Sequence, residues 1–224
     1  METKVVSFDF DGVLVADSDA VFKKEAWEKV LAFAEGRYEP FLEEGKGMFG
    51  SGKPGGRVDI LQHVFRGLGI PTDAIPGRAE EAARVFDEYV QAKILGAGLV
   101  PGAMETLEEL SRRGVPLYLN SGTPTSALTL TARNLDISRF FAGILGSTAE
   151  PQGGSKVHNL RIIKEKEAVV PTEILFVGDS DSDAQAAAEF GCRFLGVSNR
   201  WNGWEAEGRA FPLVADLRDV MRYL

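Results

Sequence analysis

Val5-Val6-Ser7-Phe8-Asp9-Phe10-Asp11-Gly12 is the stretch on which the fold turns. Val5 to Phe8 read as a buried strand, and two carboxylates follow at its end, one residue apart. Such a pair is electrostatically costly unless a cation or a shared proton offsets the repulsion. Gly12 lets the backbone turn sharply just after them. A strand that ends this way predicts a functional site at its carboxyl end.

Downstream, Asp17-Ser18 supply capping residues for a helix expected over about Asp19 to Ala34. Ala20, Trp27, Val30, Leu31 and Ala34 mark its apolar face, and Lys23, Lys24, Glu25, Glu28 and Lys29 its solvated one. A short helix is expected around Phe41-Leu42. The glycine-rich run from Gly45 to Arg57 is expected to be an irregular loop. Helical patterning returns at Val58–Phe65 and again over about Arg78 to Leu95.

Strands resume only later: Val115 to Leu119, Phe141 to Gly146, Ile174 to Val177, Arg193 to Val197 and a short edge at Leu213-Val214. Helices separate them, over Pro101 to Arg113, Ser126 to Leu135, His158 to Glu167, Ala184 to Phe190 and Leu217 to Tyr223. Lys156 falls in the loop before the third of these. Such alternation predicts an α/β fold, a Rossmann-like parallel sheet with helices on both faces. Residues 1–16 and 97–224 would form this core. Residues 17–96 would be an inserted, all-α helical unit.

Composition narrows the function classes. At 224 residues, with 44% hydrophobic and 26% charged residues, the chain suits one soluble globular unit carrying an insertion. A net charge of -8 and the lack of a basic stripe argue against a nucleic-acid partner. No run approaches the ~18 apolar residues of a membrane span, so no membrane partner is expected. Without an apolar leader the expected location is cytoplasmic. Cys192, the sole cysteine, reads as a small core residue at a strand start, and His63 and His158 lack the company of a zinc site.

In a parallel sheet, ligands collect at the carboxyl ends of the strands. Asp9, Asp11, Ser121, Asp179 and Asp183 would all meet there. Four carboxylates in one crevice demand a bound cation, and an all-oxygen donor set favours a hard ion, Mg2+ first.

These residues carry a resemblance. Asp9-Phe10-Asp11-Gly12, Ser121 at the second strand end, Lys156, and Gly178-Asp179-Ser180-Asp181-Ser182-Asp183 together resemble the haloacid dehalogenase-like superfamily of phosphohydrolases. The subgroup indicated is that of the phosphoglycolate phosphatases and beta-phosphoglucomutases. The helical insertion resembles that superfamily's cap.

The resemblance implies a Mg2+-dependent phosphatase acting on a small phosphorylated metabolite, a sugar or organic-acid phosphate. Asp9 would attack phosphorus to form an aspartyl phosphate, and Asp11 would serve as acid and then base. Asp9, Asp179 and the main-chain carbonyl of Asp11 would hold the metal, with Asp183 behind them. Ser121, the amides of Phe10, Asp11 and Gly122, and Lys156 would bind the phosphoryl oxygens. Asp181 reads as an exposed cap of the following helix.

Rival readings are separated by particular residues. Dehalogenases and phosphonoacetaldehyde hydrolases of this superfamily lack the second acid, which Asp11 supplies here. A phosphoglucomutase-like transferase would carry a histidine after Asp17, whereas this chain reads Ser18-Asp19-Ala20-Val21-Phe22 with Ala16 as an extra residue. Gly47 to Lys53 fits most of a nucleotide phosphate loop, but Pro54 replaces its Ser or Thr. Lys53 or Arg57 would instead reach from the cap toward the substrate. A phosphoryl-accepting switch would need neither cap nor Asp11. Either a monomer or a homodimer is compatible with the sequence.

Overall fold

The first strand, β1 (Val5–Phe8), occupies the middle of a six-stranded sheet of order β3-β2-β1-β4-β5-β6. Its neighbours are β2 (Leu117–Pro124) and β4 (Ile174–Gly178), both parallel to it, with Val6 opposite Leu117 on one side and Leu175 on the other. β3 (Phe141–Ser147) flanks β2, and β5 (Arg193–Val197) and β6 (Leu213–Val214) complete the opposite edge. The chain winds one way from β1 through β3 and the other way from β4, so β1 and β4 border the switch point where such sheets bind ligands. This computed structural model describes residues 2–49, 55–148, 155–205 and 208–224.

Strand alternation sorts side chains onto two apolar faces. Val6, Phe8, Leu117, Leu119, Leu175 and Val177 join one cluster, while Val5, Tyr118, Ile174 and Phe176 join another. Helices α5 (Ala103–Arg112) and α6 (Thr125–Asn134) cover the first face through Leu107, Leu110, Leu128 and Ala132. The second face is covered by α7 (Lys156–Glu167) and α8 (Asp181–Phe190), with Leu160, Ile163 and Ala187. Cys192, between α8 and β5, packs against this second cluster. The expected double-faced parallel sheet is what forms.

Between β1 and α5 the named elements of the described residues are all helical. α1 (Lys23–Val30), α2 (Glu39–Phe49), α3 (Arg57–Gly67) and α4 (Ile75–Ala97) make the cap. Trp27 on α1 meets Phe86 on α4 with ring centroids 4.7 Å apart. Cap residues such as Leu31, Leu61 and Phe86 belong to the same apolar cluster as one face of the sheet. No helix among the described residues is long and apolar enough to cross a membrane.

Two helical expectations are corrected. The single helix over Asp19 to Ala34 is instead a π-helical turn, Ser18–Phe22, then α1, then a 3-10 turn, Ala32–Ala34. The Asp17 carbonyl accepts from both Val21 and Phe22, which widens the first turn and changes the phase of α1 after it. The glycine-rich run is not loop from Gly45 onward, because α2 continues to Phe49. Gly45 is buried where a Cβ would stand 3.3 Å from Ile60 on α3, so its bareness serves close helix packing. Lys53 lies outside the described residues.

Smaller shifts matter for the site. β2 runs five residues past Leu119, and its pairing with β3 is irregular between Asn120 and Pro124, so Ser121 and Gly122 sit in a bulged strand end. Lys156 is the first residue of α7 rather than part of a loop. α8 begins at Asp181, because Ser180 accepts from the Asp183 amide as its cap and Asp183 in turn accepts from the Ser180 amide. Asp181 is therefore inside the first turn, where it pairs with Arg209 at 2.8 Å.

Candidate active site

Three strand ends and two helix starts converge. Asp9 extends β1, its amide donating to the Val177 carbonyl at 2.8 Å, which fixes it beside the end of β4. Asp179 follows β4 directly, and Asp183 comes from the first turn of α8. Carboxylate oxygens of Asp9, Asp179 and Asp183 lie within 4.8 Å of one another. The close approach depends on Gly12, whose φ is +75° and whose place a Cβ could not share with Asp179, 1.9 Å away. Gly178 does the same for Asp183, 2.6 Å from where a Cβ would be.

Lys156 is the cation of this half of the site. Its Nζ lies 2.8 Å from Asp9 Oδ2 and also bonds Asp183 Oδ1. A lysine at a helix N-terminus is opposed by the helix dipole, so the two carboxylates must outweigh it. Burial also opposes the ammonium, yet the Asp9 and Asp183 charges hold Lys156 above the ordinary lysine value. Asn120 positions the start of α7 by donating to the Lys156 carbonyl at 3.0 Å, and Asn159 donates to Asn120 Oδ1 at 2.9 Å.

Asp11 faces elsewhere. Its Oδ2 accepts from Lys23 Nζ at 2.6 Å and from Thr123 Oγ1 at 2.9 Å. Oδ1 is buried with no hydrogen-bond partner among the described residues. Its carboxylate is not one of the three clustered acids. Lys23 also pairs with Asp19 at 2.5 Å. The solvated face assigned to Lys23 is thus wrong: the π-helical turn brings this lysine inward.

The two acids of the first motif are driven apart. Burial, reinforced by Asp183 and Asp11 and only partly countered by Lys156, pushes the Asp9 carboxyl well above its usual range. Burial acts on Asp11 as well, but the Lys23 ammonium and the hydrogen bonds of Lys23 and Thr123 hold it below that range. Burial pushes Asp179 up to about 6, against the Asn199 hydrogen bond.

Four buried or half-buried carboxylates facing two ammonium groups make a donor set that fits a divalent cation, with Asp9, Asp179 and Asp183 as its acidic face.

The other expected residues are less directly placed. Ser121 is fully buried, and its Oγ accepts from the Thr123 amide at 3.1 Å, so it shapes the bulge that carries Thr123. The Phe10 amide donates to Asp9 Oδ1 at 2.8 Å. Arg57 ion-pairs with Asp87 and lies 4.0 Å over the Phe86 ring. Burial lowers its guanidinium from the usual value, while Asp87 and then Asp11 oppose the shift.

Lys23 in this role, Asn159 and Asn199 escaped the sequence reading. Asn199 donates to Asp179 Oδ2 at 2.7 Å. Asn199-Arg200-Trp201-Asn202 follows β5 at the same sheet edge as the acidic motifs, and that position was a usable signal.

A sequence profile described as haloacid dehalogenase-like hydrolase matches residues 3–191. The chain belongs to the haloacid dehalogenase-like hydrolase family. Within that family it is similar to the phosphoglycolate phosphatase of Escherichia coli K12, 33% identical over 139 residues, which are 60% of this chain and 54% of that protein. The chain thus spans about half the length of that relative. Against the phosphoglycolate phosphatase of Vibrio parahaemolyticus it is 29% identical over 96% of this chain and 92% of the other. A predicted phosphoglycolate phosphatase from Haemophilus somnus 129PT shares the haloacid dehalogenase-like fold, with a TM-score of 0.71, 20% identity, and coverage of 100% and 98% of the two chains.

Proposed function

We propose that the chain is a divalent-cation-dependent phosphoric monoester hydrolase for a small phosphorylated metabolite, working through an aspartyl phosphate on Asp9. The observation that carries this reading is the opposite environment of two acids one residue apart, Asp9 against Lys156 and Asp11 against Lys23. Asp9 lies in the acidic cluster beside Lys156, where a cation would keep it ionised for attack, while Asp11 stands outside that cluster with Thr123 and Lys23, which suits a carrier of protons.

In this reading an Asp9 oxygen attacks phosphorus as the bond to the leaving oxygen breaks. Asp11, when protonated, gives that oxygen its proton. The resulting Asp11 carboxylate then takes a proton from the water that attacks the aspartyl phosphate, releasing phosphate and restoring Asp9. Lys156 and the donors of the bulged β2 end, Ser121 and Gly122 among them, hold phosphoryl oxygens. Asp9, Asp179, Asp183 and the Asp11 carbonyl would hold Mg2+, which supplies charge neutralisation between an anionic substrate and a carboxylate nucleophile. Arg57, ion-paired with Asp87 on the cap, would meet the substrate beyond its phosphate.

The relatives make phosphoglycolate the first substrate to try, beside sugar and polyol phosphates and p-nitrophenyl phosphate. The test is phosphate release with and without Mg2+. Release of phosphate by the parent, together with its loss in Asp9→Asn, supports the reading; an Asp9→Asn protein as active as the parent overturns it.

A further inference from the structure

The loop after β5 touches both acidic motifs and the first residue of the cap. Asn199 Nδ2 donates to Asp179 Oδ2 at 2.7 Å and to the Gly12 carbonyl at 3.2 Å. Its Oδ1 accepts from the amides of Trp201 at 2.8 Å and Asn202 at 3.1 Å. All four partners agree on which end of the amide is which. Asn202 adds a bond from Nδ2 to the Asp179 carbonyl at 3.0 Å and another to the Val197 carbonyl at 2.8 Å. Side chain and main chain of Asp179 are therefore both held from this one turn.

The same turn grips Asp17. Arg200 forks onto its carboxylate, Nε to Oδ1 at 3.1 Å and a terminal nitrogen to Oδ2 at 2.5 Å, and Trp201 Nε1 donates to Oδ1 at 2.7 Å. Asp17 has a φ of +64°, a strained conformation for a residue with a side chain. Its carbonyl begins the π-helical turn that delivers Lys23 to Asp11. The two acidic motifs and the start of the cap are thus joined through four consecutive residues.

We propose that Asn199 is a positioning residue for Asp179, and that the Arg200–Trp201 latch on Asp17 ties the geometry of the metal ligands to the seating of the cap. The proposal rests on reading Asp9, Asp179 and Asp183 as a metal centre. Groups that orient a ligand from behind typically affect metal affinity by about 10- to 100-fold.

The experiment titrates the full chain with Mn2+ alone, without substrate, following the free ion by EPR. Asp179→Asn serves as the reference for a damaged centre. Asn199→Ser keeps a short acceptor for the turn amides but cannot reach Asp179, so it separates positioning from loop folding. It is expected to bind Mn2+ about 10- to 100-fold more weakly while keeping the parent's circular dichroism and thermal melt. Asn199→Ala should show the same loss.

Parent-like Mn2+ affinity in Asn199→Ser, with binding lost in Asp179→Asn, overturns the proposal and leaves the metal centre standing. A parent that binds no Mn2+ overturns the metal centre itself. For the latch, Arg200→Ala combined with Trp201→Phe is expected to weaken Mn2+ binding, and to add nothing when Asn199→Ser is already present. Parent-like affinity in that latch variant, or fully additive losses, overturns the coupling.

Discussion

The two halves of the candidate site are built differently. On the Asp9 side every charged group comes from a strand end or helix start of the sheet core: Asp9, Lys156, Asp179 and Asp183. On the Asp11 side the core gives Asp11 and Thr123, while Lys23, Arg57 and Asp87 come from cap helices. The first half is positioned by a continuous sheet. The second half is positioned by how the cap packs on it. On the proposed mechanism, charge handling at phosphorus would be fixed by the core, and contacts with the rest of the substrate would depend on the cap.

The largest expected effect breaks the core half. Asp9→Asn should reduce kcat by about 10⁴- to 10⁶-fold, as loss of a nucleophile does, and abolish any acid-stable phosphoryl label on the protein. Rapid-quench assays would check both. Asp11→Asn should cost about 10²- to 10⁴-fold, the usual worth of acid–base help, with Mn2+ affinity little changed because its carboxylate lies outside the acidic cluster. Equal loss of metal binding in both variants would erase the distinction between the halves.

Lys23→Met probes the cap's reach into the core. It should lower kcat/KM by roughly tenfold, the rate equivalent of ~1.4 kcal/mol. The ion pair sets the sign for pH: Lys23 holds Asp11 low, so its removal raises the Asp11 value and moves the alkaline limb of the pH–rate profile, set by the acid that must be protonated, upward. An unmoved limb would show that the pair does not govern turnover.

The smallest effect is on stability. Asp179, pushed up to about 6, keeps a proton in the folded chain that the unfolded chain has already released between its ordinary value of 3.8 and that point. The metal-free protein therefore loses stability as pH rises through this window. Mg2+ should raise Tm more at pH 7.5 than at pH 5, since metal and proton compete for the same carboxylate. Calorimetry at the two pH values would decide it.

The sheet and the acidic motifs were legible because each rests on a local pattern, an apolar run ended by aspartates and a glycine, whereas Lys156 entered only through the family resemblance and was expected in a loop rather than at the start of α7. β2 and its bulge were half legible, since Ser121 was placed correctly in the chain but found shaping the backbone around Thr123. Lys23 was not legible, because one widened turn after Asp17 rotates the whole face of α1 and no 3.6-residue pattern contains that phase change. Gly45 misled in the other direction. Glycine normally signals a break, yet here it allows α3 to approach α2. The Asn199 turn was hidden for another reason: its partners are distant in sequence, and only the closed sheet edge brings them together.

Burial pushes the thiol of Cys192 up to about 12. At neutral pH that leaves roughly one molecule in 10⁵ as thiolate, whereas an opened chain would regain an ordinary, alkylatable cysteine. With no second cysteine in the sequence, the rate of iodoacetamide labelling becomes a built-in clock for the opening of the α7–α8 face of the sheet. The same clock, run with and without divalent cation, would time how firmly the edge bearing the acidic cluster clasps the rest of the sheet.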